Sequence, residues 1–150
     1  MTDNRGINIK ALVLGAVTDI SGSLIVGTIL GVVMGIVLAA QGVPQNEIEA
    51  RLQGMLLIPG LLIGFGFTVL GGFVAGRVSK SYEVMHGGIV GCIGIFFGLL
   101  FWASSPLWLN IASLVGTVPI GMLGGRIAVS TRQVVRKNVP AEVKTSGQRT

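Results

Sequence analysis

The chain has 150 residues, of which 51% are hydrophobic and only 11% are charged, and its formal net charge is +5. Because soluble domains have about 25% charged residues, this composition excludes an ordinary soluble domain and indicates an integral membrane protein. The basic residues lie at the ends of apolar runs and in the C-terminal tail. This pattern is typical of membrane topology, so nucleic acid is not expected as a partner.

Four apolar runs follow one another along the chain, and each is long enough to cross a bilayer. A hydrocarbon core needs about 20 helical residues, and the predicted spans are 12–40, 56–78, 87–103 and 107–129. A cleaved signal peptide is the alternative for the first run, but its apolar core would be only about 7–15 residues long. We therefore predict an all-α membrane protein, with two tandem hairpins in a transmembrane domain over residues 1–130.

The segment between the first two spans also has helical features. Pro44 is suited to a helix start, and Ile48 and Leu52 share one helical face. This pattern predicts either a short interfacial helix or an extension of the second span, with a bend at Pro59.

Basic residues indicate how the chain crosses the membrane. Of its 11 Lys and Arg residues, all but Arg51 fall on the side that holds both termini. The positive-inside rule then places both termini in the cytoplasm, and we expect the plasma (inner) membrane of a prokaryote. Trp102 and Trp108 flank the outer turn, where an aromatic belt belongs. The basic tail, 131–150, is predicted to be disordered and to contact anionic lipid head groups.

Glycines recur at four-residue spacing in the spans, which allows helix backbones to approach closely in lipid. These faces either bury against each other inside one bundle or leave a surface for a second copy or another membrane protein. The predicted packing residues are Gly27, Gly31, Gly35, Gly72, Gly76, Gly87, Gly91, Gly94, Gly98, Gly121 and Gly125.

The second and fourth spans end alike, since residues 68–78 align with 117–127 at Thr, Val, Gly, Gly and Arg. Duplication of a two-helix hairpin is the simplest explanation, with a pseudo-twofold axis along the membrane normal. Chance similarity between two Gly-rich helices is the alternative. Leu70 stands at the position that matches Pro119, so a kink at Pro119 would break the symmetry. Such a kink would either have a structural role alone or open a cavity.

Asp19 is the one acidic residue inside the apolar runs, and an ionisable group there is a functional hypothesis by default. Counting inward from the outer ends of the spans places Arg77, His86 and Arg126 within about two helical turns of its depth, near the inner interface. We predict a structural ion pair of Asp19 with Arg77, Arg126 or both, and His86 nearby. The alternatives are a proton- or ion-binding gate at the cytoplasmic mouth, or an Asp19 that faces water.

The chain lacks the residues of common catalytic sites. One histidine, one cysteine and one intramembrane acid cannot form a paired-carboxylate site, a zinc site or a Cys-His dyad. We interpret Cys92 as a small packing residue. The sequence therefore predicts no enzyme, no metal and no cofactor.

With the run 72–77 (Gly-Phe-Val-Ala-Gly-Arg) followed by His86-Gly87-Gly88, the chain resembles a family of small, four-span, Gly-rich prokaryotic membrane proteins. The resemblance implies a plasma-membrane location and assigns no activity.

Two functions are consistent with this sequence. The first is a non-enzymatic scaffold or subunit that acts by helix–helix association. The alternative is a small oligomeric channel or transporter with an Asp19-centred polar site, but the middles of the later spans are almost wholly apolar. In the channel alternative, a polar stretch of the first span lines a half-channel, and it consists of Thr18, Ser21, Ser23 and Thr28.

Overall fold

The computed structural model describes residues 6–100 and 106–137 of the chain. These residues form four helices, which we name α1 (Ile9–Ala40), α2 (Gln45–Ser79), α3 (Glu83–Leu100) and α4 (Leu107–Lys137). All four are long and apolar enough to cross a membrane, and no strand occurs in the described ranges. The predicted all-α fold with four spans is therefore confirmed. Trp102 and residues 138–150 of the predicted tail lie outside the described residues.

Local signals determine where the helices begin and end. The side-chain oxygen of Asn8 accepts a hydrogen bond of 3.2 Å from the backbone N–H of Ala11 and caps the start of α1. Beyond its end lies Gly42, whose φ of +78° is readily adopted by glycine. Lys80 follows α2 in the left-handed conformation that often terminates helices.

Two predicted boundaries change in the structure. The helix α2 begins directly after Pro44 and continues through Pro59, so the segment before residue 56 extends the second span. The helix α4 continues to Lys137, which corrects the prediction that disorder begins at residue 131. The physical reason for the second change is tertiary contact near the end of α4, because Arg132 forms an ion pair with Glu83 of α3.

Consecutive helices run antiparallel and pack into one bundle. The helix α2 packs along α1 and α4, α3 packs along α4, and α1 and α3 touch less extensively. We call the side with the start of α1, the end of α4 and the α2–α3 connection the terminal side. The opposite side, with the α1–α2 and α3–α4 connections, is the hairpin side.

Glycines bring the helix backbones into direct contact in the half of the bundle near the terminal side. A β-carbon on Gly15 would lie 2.6 Å from the carbonyl oxygen of Gly71, and a β-carbon on Gly91 would lie 2.7 Å from that of Thr117. Such distances exclude any side chain at these positions without movement of a backbone. The predicted packing residues that meet neighbouring helices in this half are Gly72, Gly76, Gly87, Gly91, Gly121 and Gly125.

The predicted packing ridge of α1 behaves differently. β-Carbons on Gly31 and Gly35 would make ordinary contacts of 3.9 and 3.7 Å with leucine side chains of α2, and one on Gly27 would meet no described atom within 4 Å. Close backbone packing is therefore concentrated toward the terminal side, and the bundle loosens toward the hairpin side.

Candidate functional site

Asp19 lies where the close glycine packing gives way to open space. It is only 6% exposed. The hydroxyl oxygen of Thr68 on α2 lies 3.2 Å from each of its two carboxylate oxygens and 3.0 Å from the carbonyl oxygen of Gly64. Because a hydroxyl has one hydrogen, Thr68 donates to either Asp19 or Gly64 at any instant.

The neighbours of Asp19 place it near the middle of the α3–α4 hairpin. A β-carbon on Gly94 of α3 would lie 3.5 Å from an oxygen of Asp19 and 3.3 Å from the methyl carbon of Thr117 on α4. Gly94 and Thr117 are each about 15 Å from the ends of their helices at Glu83 and Leu107. Asp19 therefore lies level with the middle of the α3–α4 hairpin, although it is only about 15 Å along α1 from the start of that helix, and its position relative to the inner interface stays a prediction.

The predicted ion pair between Asp19 and the arginines is not formed. Arg77 is exposed and its guanidinium carbon lies 6.0 Å from the centre of the Phe73 ring, while Arg126 is also exposed. Among the described residues, the ion pairs join Arg51 to Glu47 and Arg132 to Glu83. The arginines lie at a different depth from Asp19. Thr68 of α2 and Thr117 of α4 lie level with Asp19, and on each helix the arginine follows its threonine by nine residues, about 13 Å closer to the terminal side.

His86 is fully buried, but it belongs to the terminal side. Its Nε2 accepts a hydrogen bond of 3.0 Å from the backbone N–H of Asn8, and its Nδ1 lies 3.0 Å from the carbonyl oxygen of Tyr82. In the neutral ring, Nδ1–H then donates to Tyr82, so both nitrogens are engaged. His86 ties the first turn of α3 to the start of α1 and lies about 12 Å along α3 from the depth of Asp19.

A cavity of about 580 Å³ extends from Asp19 toward the hairpin side, and all four helices line it. Its polar lining comes from Asp19 and four hydroxyl residues, and its apolar lining from aliphatic side chains and two phenylalanines. The hydroxyl residues are Ser23, Thr68, Ser113 and Thr117.

Glycines create much of this cavity. Gly60, Gly64, Gly94 and Gly98 line it, and a β-carbon on Gly60, Gly64 or Gly98 would meet no described atom within 4 Å. Gly94 and Gly98 are both predicted packing residues: Gly94 packs against Thr117 of α4, whereas Gly98 faces open space in this chain, which leaves the predicted alternative of a second copy or another membrane protein. The spacing of small residues indicates close helices, but it does not distinguish a packed face from the wall of a cavity.

Threonines at matching positions of the two similar segments both line the inner end of the cavity. Thr68 and Thr117 are both buried, and the Thr117 hydroxyl donates to the carbonyl oxygen of Ser113. The alignment of 68–78 with 117–127 is the sequence signal that could have identified the pair. Of the predicted polar stretch in α1, Ser23 lines the cavity, whereas Thr18 and Ser21 hydrogen-bond to their own helix and Thr28 is exposed.

The electrostatics of the site follow from what surrounds the carboxyl group of Asp19. No Lys, Arg or His is among the described residues that line the cavity. A buried carboxylate is costly unless hydrogen bonds or a cation compensate its charge. The cavity therefore presents one acidic group, four hydroxyl-bearing side chains and apolar walls to anything that enters it.

Comparison of the chain with models of protein families, with curated proteins and with solved structures found no match. The described residues contain no cluster of three or more His, Cys, Asp or Glu side chains able to hold a metal ion.

Proposed function

We propose that the chain is a small membrane transport protein that binds its solute in the Asp19 cavity. The observation that carries the proposal is a buried acidic side chain at the inner end of a cavity of about 580 Å³ that all four helices line. Ionisable residues are costly inside membranes and are found along substrate and ion pathways. The proposed binding site lies level with the middle of the α3–α4 hairpin.

The packing favours a transporter over a permanently open pore. Close backbone contacts, such as Gly15 with Gly71 and Gly91 with Thr117, fill the bundle between Asp19 and the terminal side. A solute in the cavity can pass this half only if helices move. The contact of α1 with α3 is less extensive than those of α2 with α1 and of α4 with α2 and α3, so separation of α1 from α3 disrupts the least packing. The proposed cycle contains no catalytic step.

The distribution of Lys and Arg residues between the two sides supports a plasma-membrane location in a prokaryote, with both termini in the cytoplasm. Cations on the terminal side include Lys10, Arg77, Lys80, Arg126 and Arg132. On the hairpin side, Arg51 is accompanied by Glu47 and Glu49. The positive-inside rule then places the terminal side in the cytoplasm, where the basic tail meets anionic lipid head groups. The cavity would then load from outside.

The test is solute-induced charge movement in proteoliposomes adsorbed on a sensor electrode. Organic cations, organic anions, amino acids and neutral sugars are applied in turn to wild type, to Asp19→Asn and to Glu49→Gln, which removes an exposed acid outside the cavity. We expect at least one solute class to displace charge in wild type and in Glu49→Gln, and Asp19→Asn to abolish the response. The absence of any response, or an unchanged response in Asp19→Asn, would contradict the proposal.

A membrane scaffold or subunit is the second candidate, and the packing of α1 favours it. Only 6% of the most apolar window of α1 is buried, against 28% in α3. A second copy or another membrane protein could cover α1, for instance along the Gly27 ridge. The mass of the complex extracted in lipid nanodiscs tests this candidate, because a scaffold purifies with a stoichiometric partner.

A further inference from the structure

We infer that the solute is a monovalent organic cation with an apolar or aromatic body. This inference rests on the proposed function and adds to it the chemical class of the ligand. It follows from the charge of the cavity, from the chemistry of its walls and from the position of its exposed edge.

The charge of the lining favours a cation with a single positive charge. Asp19 is the one acidic residue among the described residues of the lining, and no described cation there neutralises it. An anion, including a phosphate head group, would meet this carboxylate without a compensating basic group. A dication would leave one of its charges uncompensated in an apolar space, which is costly.

The walls favour an organic cation over a metal ion. Na⁺ or K⁺ must exchange its water for several oxygen ligands held close around one point, whereas most of this lining is aliphatic and aromatic. A volume of about 580 Å³ far exceeds that of one bare ion and falls within the range of about 300–1,000 Å³ that is usual for small-molecule sites. Phe65 and Phe97 provide aromatic rings, which attract cations.

The exposed edge of the cavity favours a solute that partitions into lipid. The helices α1 and α3 touch at Gly15–Val90 and at Asp19–Gly94. These contacts lie at the inner end of the cavity or closer to the terminal side. Further toward the hairpin side, lining residues of both helices are exposed, with Leu24 at 60% and Leu100 at 66%. A lipophilic cation can therefore reach Asp19 from the apolar phase between α1 and α3.

The experiment measures equilibrium binding of tetraphenylphosphonium and of tetraphenylborate to the full chain in nanodiscs. The two probes have nearly the same shape and opposite charge, so their comparison isolates the effect of charge. The variants are Asp19→Asn, the matched control Glu49→Gln, Gly98→Leu to fill the cavity, and Gly27→Leu as its control outside the cavity. Size-exclusion profiles and thermal unfolding verify that each variant is folded.

We expect saturable binding of tetraphenylphosphonium to wild type, Glu49→Gln and Gly27→Leu, and none of tetraphenylborate. Asp19→Asn should weaken binding by about 30-fold or more, as expected for one partner of a buried charge pair, and Gly98→Leu should abolish it. If neither probe binds while another solute class still displaces charge, the ligand class is wrong and the transport proposal stands. If no solute displaces charge either, both are wrong. Binding that is unchanged in Asp19→Asn or Gly98→Leu also overturns the inference.

Discussion

The hydroxyl of Thr68 lies 3.2 Å from both carboxylate oxygens of Asp19, and its single hydrogen is also within reach of the Gly64 carbonyl at 3.0 Å. A protonated Asp19 can donate to the Thr68 oxygen and release the Thr68 hydrogen to Gly64, whereas an ionised Asp19 takes that hydrogen for itself. Protonation or cation binding at Asp19 is thereby coupled to a hydrogen bond within α2.

Thr68→Val tests the contribution of this hydroxyl to stability. The change keeps the shape of the side chain but leaves Asp19 without its hydrogen-bond donor, so we expect a loss of about 1–3 kcal/mol in the free energy of unfolding. Thr131→Val is the control, because the Thr131 hydroxyl bonds to the Ile127 carbonyl at an exposed position. Denaturant titration in mixed micelles measures both variants, and equal effects would show that the Asp19–Thr68 contact adds nothing.

Gly72→Ala tests the close packing of the terminal half. A β-carbon on Gly72 would collide with the carbonyl oxygen of Gly121 on α4, so we expect destabilisation of about 1–3 kcal/mol or more. Gly27→Ala is the matched control in an open position, where the higher helix propensity of alanine should stabilise the protein by up to about 1 kcal/mol. The same unfolding titration compares the two, and a Gly72→Ala variant as stable as wild type would show that the backbones are not this close.

The sequence predicts the four helices well, but it does not predict how far each helix is shifted along its neighbours. Hydropathy predicts four spans, and Pro44 correctly predicts the start of a helix. Counting from the ends of each span does not predict the relative depth of Asp19 and the arginines, because the register depends on contacts such as Gly15 with Gly71 that composition does not reveal. Opposite charge suggested arginine partners for Asp19, yet the backbone positions of Arg77 and Arg126 place their side chains closer to the terminal side.

His86→Phe tests the link between α3 and α1. Phenylalanine fills similar space but cannot accept the hydrogen bond from the backbone N–H of Asn8, so the first turn of α1 should open more easily. We expect faster hydrogen–deuterium exchange in a peptide that covers residues 8–12. Exchange in α4 serves as the internal reference, and equal exchange of the α1 peptide in both proteins would contradict this role for His86.

Arg132→Gln tests the contact that holds the last part of α4. Arg132 forms an ion pair with Glu83 and donates hydrogen bonds of 3.1 Å to the carbonyl oxygens of Lys80 and Arg77. Because Arg132 is partly exposed, solvent screens this ion pair and we expect little change in global stability, but faster exchange at the α2–α3 connection. Arg51→Gln removes an exposed pair within α2 and is the control. A connection that exchanges equally in both variants would show that Arg132 does not hold it.

The central claim is that the bundle has an accessible, negatively charged cavity at Asp19 and a closed terminal half. The most direct measurement is the modification rate of Ser113→Cys, which lines the cavity, and of Ala75→Cys in the glycine-packed half, both without Cys92. Cationic and anionic methanethiosulfonates of similar size are the reagents. We predict that Ser113→Cys reacts faster with the cation, that Asp19→Asn removes this preference, and that Ala75→Cys reacts with neither. Equal rates for both reagents at Ser113→Cys, or modification of Ala75→Cys as fast as that of Ser113→Cys, would contradict the claim.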